Sequence, residues 1–521
     1  AGTTGRAANA KDRPDLGSND IHSGKTGGVC AGNANDRADS IPDEAGGYTG
    51  VNAIFGDKYV NPAITGGEPA VNSIEGQPIT DSFGQPGFPG FDGGTAANSL
   101  GMVAQMLEGG VPITFGYISV AHDNHALGQA SGPGEADYVS QLKSYDQAFG
   151  DFFKRLNHDG INKSNTLFVF TSDENDHFAG GSSANGTWSH TFCNLSAGQA
   201  CPANQIGEVD QNLNALLPAG YTAPTYSAHF DSAPTIYVNG NPIRTDAALR
   251  QFERNLAAGK ELDPYLGHSP VPAMLYIADP VEEQALHMVN SDPRRTPSFT
   301  FFGQPDNFFL TFDVNCPDST HRASTCIDYH FAWSHGDATP DIGTTWLGMV
   351  GPGVKHLGQT GKTWSDHTDL RPTILALIGL KDSYQDDGVV LTHFIKSSAI
   401  SKGLRSDGQK LNELSAVYKQ VTAPFGEYAH STLVASTAAV ASGSASDDSK
   451  YVALENQLAS LTAERDALVT KIRTVLNDAA FGSGAGISER ELESLIEQGQ
   501  EILSRAQELA GGETNGNSGS N

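Results

Sequence analysis

Apolar and polar residues follow one another along this chain in more than one rhythm, and the changes of rhythm divide it. From Ala1 to Gly94 there is little periodicity. GGVCAGNAND, PDEAGGYTG and GQPGFPGFDGG are dense in Gly, Asn, Asp and Pro, so this stretch reads as a loop-rich segment packed on something else. From Thr95 onward helix-period segments alternate with short apolar runs. TAANSLGMVAQMLEGG predicts a helix ended by glycines, and PITFGYISV a strand. GEADYVSQLKSYDQAFGDFFKRLNHDG predicts a long amphipathic helix with Val139, Leu142, Phe149, Phe152, Phe153 and Leu156 near one stripe, and TLFVFTS a second strand. Residues 182–298 break the rhythm with polar, loop-rich sequence and read as an insertion beside the sheet. TTWLGMVGPGV is a further strand, and SDHTDLRPTILALIGL a helix with Thr368 or Asp369 as its cap and Pro372 in its first turn. Alternation of helices with apolar strands predicts one α/β domain over residues 95–395, a mostly parallel sheet covered by helices on both faces.

Residues 396–450 read as a connecting segment, and the Ser- and Ala-rich His430 to Lys450 as a linker. Beyond it Leu454, Leu458, Leu461, Leu468, Ile472 and Val475 follow alternating spacings of four and three, with Arg465 at the skipped position. FGSGAG breaks this helix, and Ser488 with Glu491 caps a second one carrying Leu492, Leu495, Ile496, Ile502, Leu503 and Leu509. A helical hairpin over 451–510 follows, with a disordered tail at 511–521. Its apolar stripe has two readings: packing on its own body, or a coiled-coil-like contact that joins copies into a homo-oligomer.

Composition narrows the partners. The chain has 521 residues with 60 acidic and 32 basic side chains, a formal balance of −28. Such a field repels phosphate backbones and anionic bilayers, which argues against nucleic acid as a partner and favours divalent cations. No apolar run reaches the roughly 18 residues that a membrane span needs. Cys193 and Cys201, and Cys316 and Cys326, bracket short polar loops, as local disulfides of a secreted, extracellular or periplasmic protein do; Cys30 is left over.

The chemistry gathers at three predicted strand ends. YISVAHDNH ends in His122, Asp123 and His125; VFTSDENDH carries Asp173, Glu174, Asp176 and His177; FAWSHGDATPD holds His335 and Asp337. In open α/β sheets ligands bind beyond the carboxyl ends of the strands. Three Asp/Glu/His clusters there would form a mixed nitrogen and oxygen site for a divalent ion such as Zn²⁺ or Mn²⁺. Each cluster alone is as well explained by turn chemistry. Adjacent carboxylates, however, raise one another's pKa unless a cation neutralises them. His190 and His229 could line the cleft, but a surface or core role is the commoner case, and His367 reads as a helix-start residue.

The ordered set D-x-H, GPGEADYV, LFVFTSDE, SHGD with GPGV, and DLRPTILALIGL resembles the alkaline phosphatase superfamily, above all its bacterial secreted phosphoesterases and nucleotide pyrophosphatase-like members, over Thr95 to Leu391. The resemblance implies a metal-dependent phosphoric ester hydrolase, phosphatase or phosphodiesterase. Asp123, His125, Asp173, Glu174 and His335 would hold divalent ions (Zn, Mn, Mg or Ca) that activate a nucleophile, with His177 and His190 as further catalytic candidates. The spacing of Asp123 and His125 departs from the family pattern, which leaves His122 a rival ligand. The family's opening strand, its metal-binding Asp and its nucleophile are not recognisable in Ala1 to Gly94. The nucleophile is therefore expected from a missing or separate N-terminal segment, and Cys30 is either its disulfide partner or a free thiol. The rival account is a non-catalytic extracellular protein that keeps the fold and assembles through its C-terminal helices.

Overall fold

A computed structural model describes residues 71–80, 94–119, 128–267, 269–316, 322–381, 384–406, 408–444, 446–482 and 487–511, with the backbone of Asp123 and Asn124. Most of the predicted loop-rich segment, Cys30 and nearly all of the tail lie outside the described residues. The chain separates into two compact units, Ala1–Phe168 with Ala184–Thr187, and Val169–Ser183 with Trp188–Asn521.

In the first unit two helices pack together. Helix α1 (Ala96–Glu108) is capped by the Thr95 hydroxyl, and α2 (Ala136–His158) buries Ala148, Phe152 and Leu156. The Arg155 guanidinium holds Glu108 with two parallel hydrogen bonds of 2.7 and 2.6 Å. Gly101 lets the chain at 72–73 lie directly on α1, since a Cβ there would stand 2.4 Å from the Asn72 carbonyl oxygen. PITFGYISV, expected as a strand, bends at Pro112 and Ile113 and enters no ladder through Ser119. Among the described residues no strand pairs with it. Ser119 instead donates to the Gly94 carbonyl at 2.8 Å and accepts from the Tyr145 hydroxyl, and Phe115 stays 88% exposed.

The second unit contradicts the expected doubly covered parallel sheet. Its sheets have two to four strands and are mostly antiparallel. One four-stranded sheet runs Met274–Ala278, Phe299–Gly303, Thr235–Val238, Tyr226–His229, antiparallel throughout. The other runs Asn307–Leu310, Glu208–Asn212, Thr325–Asp328, Cys193–Asn194, with a single parallel pair between its first two strands. Phe168–Thr171, expected inside a large sheet, pairs among the described residues with Leu347–Val350 alone. Most strands of the two larger sheets come from the section that reads as a polar insertion, and their side chains explain why. Glu208–Asn212 (EVDQN) buries Glu208, Gln211 and Asn212 by satisfying them internally, with Thr325 donating to Gln211 at 2.7 Å and Asn212 to Asp313 at 2.7 Å. Such a strand carries no apolar alternation to read.

Helices α3 (Ala247–Ala257), α4 (Pro280–Ala285), α5 (Pro340–Gly343), α6 (Leu370–Ile378) and α7 (Lys402–Ser406) lead to four long ones: α8 (Gly408–Thr422), α9 (Glu427–Ser442), α10 (Ser449–Phe481) and α11 (Glu489–Leu509). Leu414, Tyr418, Val421, Leu433, Leu461, Leu468, Ile472, Leu492, Leu495 and Ile502 form one core among these four. The stripe of α10 and α11 is thus covered within the chain. Most of His430 to Lys450, expected as linker, is helical: its first part belongs to the buried helix Glu427–Ser442, because short Ala and Ser side chains let neighbouring helices approach and Thr432 returns its hydroxyl to the Ala429 carbonyl at 2.8 Å. Arg465, the skipped heptad position, is buried with its guanidinium over the Tyr428 ring, 5.0 Å from the centroid.

Disulfides join Cys193 to Cys201 and Cys316 to Cys326. Each closes a short loop, so replacing Cys316 and Cys326 by serine is expected to lower stability by about 2–3 kcal/mol through the freed unfolded chain. Urea denaturation of the two forms measures this, and an unchanged midpoint would refute it.

Candidate functional site

An antiparallel pair of very short strands builds the site. His177 pairs with Ser334 and Phe178 with Trp333, so the residues before His177 and after Ser334 emerge side by side. Phe178 pins the pair, its ring 4.9 Å from both Trp188 and Trp333. Asn175 fixes the loop ahead of it by donating to the carbonyls of Asp341 at 2.6 Å and Thr344 at 3.0 Å. His335 then stands between two carboxylates, with Nδ1 2.9 Å from Asp176 Oδ1 and Nε2 3.3 Å from Glu174 Oε1. Donor atoms of Glu174, Asp176 and His335 all lie within 4.8 Å of one another.

A third carboxylate closes on the same residues. Gly336 has φ +87°, and a Cβ on it would meet Asp231 Oδ1 at 2.7 Å, so glycine admits both the turn and the approach. Asp337 is buried, with one oxygen bound to the Ala338 N–H and Oδ2 without a hydrogen-bond partner. Burial, helped by Asp231, pushes the Asp337 carboxyl up to about 7. Burial also raises Glu174, where His335 opposes it and Asp173, Asp176 and Asp231 add to it. The Asp176 hydrogen bond raises His335. One imidazole thus faces an excess of negative charge.

The donors fit a small divalent ion. Ligands about 2.0 Å from a tetrahedral centre stand about 3.3 Å apart, and Glu174 Oε1 and His335 Nε2 are 3.3 Å apart. Asp176 on the other ring nitrogen is the carboxylate that orients a ligating histidine and fixes its tautomer. The mixed oxygen and nitrogen set suits Zn²⁺ or Mn²⁺ better than Ca²⁺ or Mg²⁺, which prefer oxygen alone.

Of the residues predicted from sequence, Glu174 and His335 come together. Asp173, expected as a ligand, is exposed beside them and acts on Glu174 by charge, while Asp176, not among the expected ligands, hydrogen-bonds His335 through its Nδ1. Asp123 lies in the first unit on the strand Asp123–Asn124, paired with Gln129–Ala130. Its side chain, His122 and His125 lie outside the described residues. His190 stacks edge-on against Tyr329 at 6.3 Å. His367 contacts the Thr171 hydroxyl at 3.1 Å, which is also 2.8 Å from the Trp346 carbonyl. Sequence reasoning missed Asp231, which sits in the section read as an insertion; its signal was an acidic residue between two alternating segments, YSAHF and TIYV.

His177 is held differently from a general base. Its Nδ1 lies 2.5 Å from Asp341 and its Nε2 3.1 Å from Asp306. Burial alone would lower this imidazole, but the hydrogen bonds and charges of Asp306 and Asp341 outweigh it and raise the pKa to about 9. The folded chain therefore binds this proton more tightly than the unfolded chain. The resulting stability is complete below the ordinary value of 6.5 and is lost as pH rises through about 9. His177→Gln should remove this part of the pH dependence, on the order of 2 kcal/mol. Chemical denaturation at acid-neutral and alkaline pH tests this; equal slopes in both forms would contradict it.

No protein-family model matches the chain, and no curated protein matches it.

Proposed function

We propose that this chain acts as a metal-dependent phosphoric ester hydrolase, a reading suggested by the resemblance of its motif order to that of the alkaline phosphatase superfamily. The observation that carries the reading is His335, oriented by Asp176 at 2.9 Å and aimed by its other nitrogen at Glu174 at 3.3 Å. A divalent ion held there would act as a Lewis acid toward a phosphoryl oxygen and lower the pKa of an attacking water or hydroxyl. The residues have separate tasks. Asp176 accepts a hydrogen bond from Nδ1–H of His335, which keeps the proton on that nitrogen and leaves the Nε2 lone pair free as a ligand. Glu174 supplies the anionic oxygen, and Asp231 adds negative charge behind both. His177, kept protonated between Asp306 and Asp341, braces the strand pair and takes no proton from substrate.

Two disulfides support export from the reducing cytoplasm. The test is hydrolysis of p-nitrophenyl phosphate and bis(p-nitrophenyl) phosphate by chelator-treated protein, before and after adding Zn²⁺ or Mn²⁺. Turnover that returns with metal is expected. No turnover of either ester with any divalent ion would remove the hydrolase reading.

A further inference from the structure

A second group of carboxylates lies far along the sequence from the first, where the Met274–Ala278 strand meets the helices. Asp279, Glu282 and Glu455 are at most 1% exposed, and they bring donor oxygens within 4.8 Å of one another. Glu253 and Glu283 are buried nearby, and both are fully enclosed. Cations are few here. Arg250, itself 2% exposed, gives NH1 to Glu253 and Nε to Asp448 at 3.2 Å, stacks 3.2 Å from the centre of the Tyr451 ring, and comes no nearer Asp279 than 4.0 Å. Arg244, whose charge also reaches Glu455, directs its NH2 to Asn456 at 2.9 Å. Arg254 is held by Asp448 at 2.7 Å.

The oxygens themselves point to a missing partner. Neither carboxylate oxygen of Glu455 has a donor in hydrogen-bonding geometry, nor has Glu282 Oε1. Beside Glu455 stands Ser436, fully buried, whose hydroxyl bears on that carboxylate but meets no partner in good hydrogen-bonding geometry. An enclosed carboxylate left in this state costs several kcal/mol, which native structures avoid. The donors are all oxygen, from three carboxylates and one hydroxyl. Hard cations of the Ca²⁺ class take oxygen ligands at about 2.3–2.6 Å, and the three carboxylates approach one another closely enough to share one such ion.

The geometry points to a structural binding site for a hard divalent cation of the Ca²⁺ class, ligated by Asp279, Glu282 and Glu455 with Ser436 beside it. Asp279 directly follows the Met274–Ala278 strand, Glu282 lies in α4, Ser436 in α9 and Glu455 in α10. The ion would therefore fasten the antiparallel sheet to the helical layer. This site is independent of the Glu174 site, and either proposal stands if the other fails.

The experiment uses the full chain, freed of metal by chelation, with Ca²⁺ and then Tb³⁺ as probes. Tyr451 hydrogen-bonds Asp279, so it can sensitise Tb³⁺ bound there. Ca²⁺ is expected to raise the melting temperature by at least several degrees. Tyrosine-excited Tb³⁺ emission is expected to saturate near one ion per chain, to persist in E174Q/H335A, and to disappear in E282Q/E455Q. Should the last variant fail to fold, a Tb³⁺ anomalous peak among Asp279, Glu282 and Glu455 in crystals of the unaltered chain replaces it. A melting temperature indifferent to Ca²⁺, emission that survives E282Q/E455Q, or a crystal without that peak would overturn the proposal and leave protons as what neutralises the cluster.

Discussion

Replacing His335 by alanine is expected to weaken divalent-metal binding at the Glu174 site by at least about 100-fold, and to lower kcat/KM on phosphate esters to a similar degree. Loss of a mere orienting partner of a ligand already costs about 10–100-fold, and on the proposed reading His335 would supply the nitrogen ligand itself. Asp176→Asn should fall in that lesser range, because Nε2 and Glu174 remain while the tautomer is no longer enforced. His335 is roughly half exposed, at 48% of its side chain, so the alanine variant should fold as stably as the parent to within about 1 kcal/mol. Competition against a chromophoric chelator gives the affinities. If H335A binds Zn²⁺ as tightly as the parent, His335 is not a ligand and the carboxylates around it form only an ion-pair network.

The largest effect on stability is expected at Lys419. Its ammonium is buried, with Asp366 at 2.6 Å, Asp369 at 3.0 Å and the Thr368 hydroxyl at 3.1 Å. Asp369 is fully enclosed, accepts the Val389 N–H at 2.8 Å, and with Asp366 starts the turn that leads into α6. Lys419→Met keeps the stem and removes the charge, leaving the enclosed Asp369 carboxylate uncompensated beside Asp366; breaking a buried pair this way costs about 3–5 kcal/mol. Adding Asp369→Asn should recover part of that loss, since the amide oxygen can still accept from Val389. Urea denaturation of the two variants measures both numbers. A loss under about 1 kcal/mol for K419M would mean that solvent reaches the cluster.

What the sequence disclosed depends on how each element satisfies its polar groups. The long helices were legible because a 3.6-residue apolar period spans many turns: Phe152 and Leu156 in α2, and Leu458, Leu461, Leu468 and Ile472 in α10, are all buried. The disulfides were legible from spacing. The sheets were not. A mostly parallel sheet was inferred from helix and strand alternation, yet periodicity says nothing about strand partners, and strands as polar as Glu208–Asn212 or as short as His177–Phe178 leave little pattern. Residues 427–442 show the same limit from the other side, since Ala and Ser serve a flexible tether and a tightly packed helix equally well.

For the candidate site, the sequence indicated where to look but not which atoms meet. SDENDH and SHGD were singled out as strand ends, and the His177 to Ser334 register brings them together. Asp173 and Asp176 are equally acidic in the sequence, and only the turn held by Asn175 places Asp176 on the imidazole and leaves Asp173 in solvent. Asp231 approaches through the space that Gly336 leaves open, a relation across about a hundred positions that no local motif records.

The most direct test of the account is an anomalous-scattering map from crystals of the full chain grown with Zn²⁺ or Mn²⁺. The predicted result is a metal peak about 2.0–2.2 Å from Glu174 and from His335 Nε2, with Asp176 retained on Nδ1. A map with no peak there at millimolar metal, and with the His335 ring still bridging the two carboxylates, would contradict it.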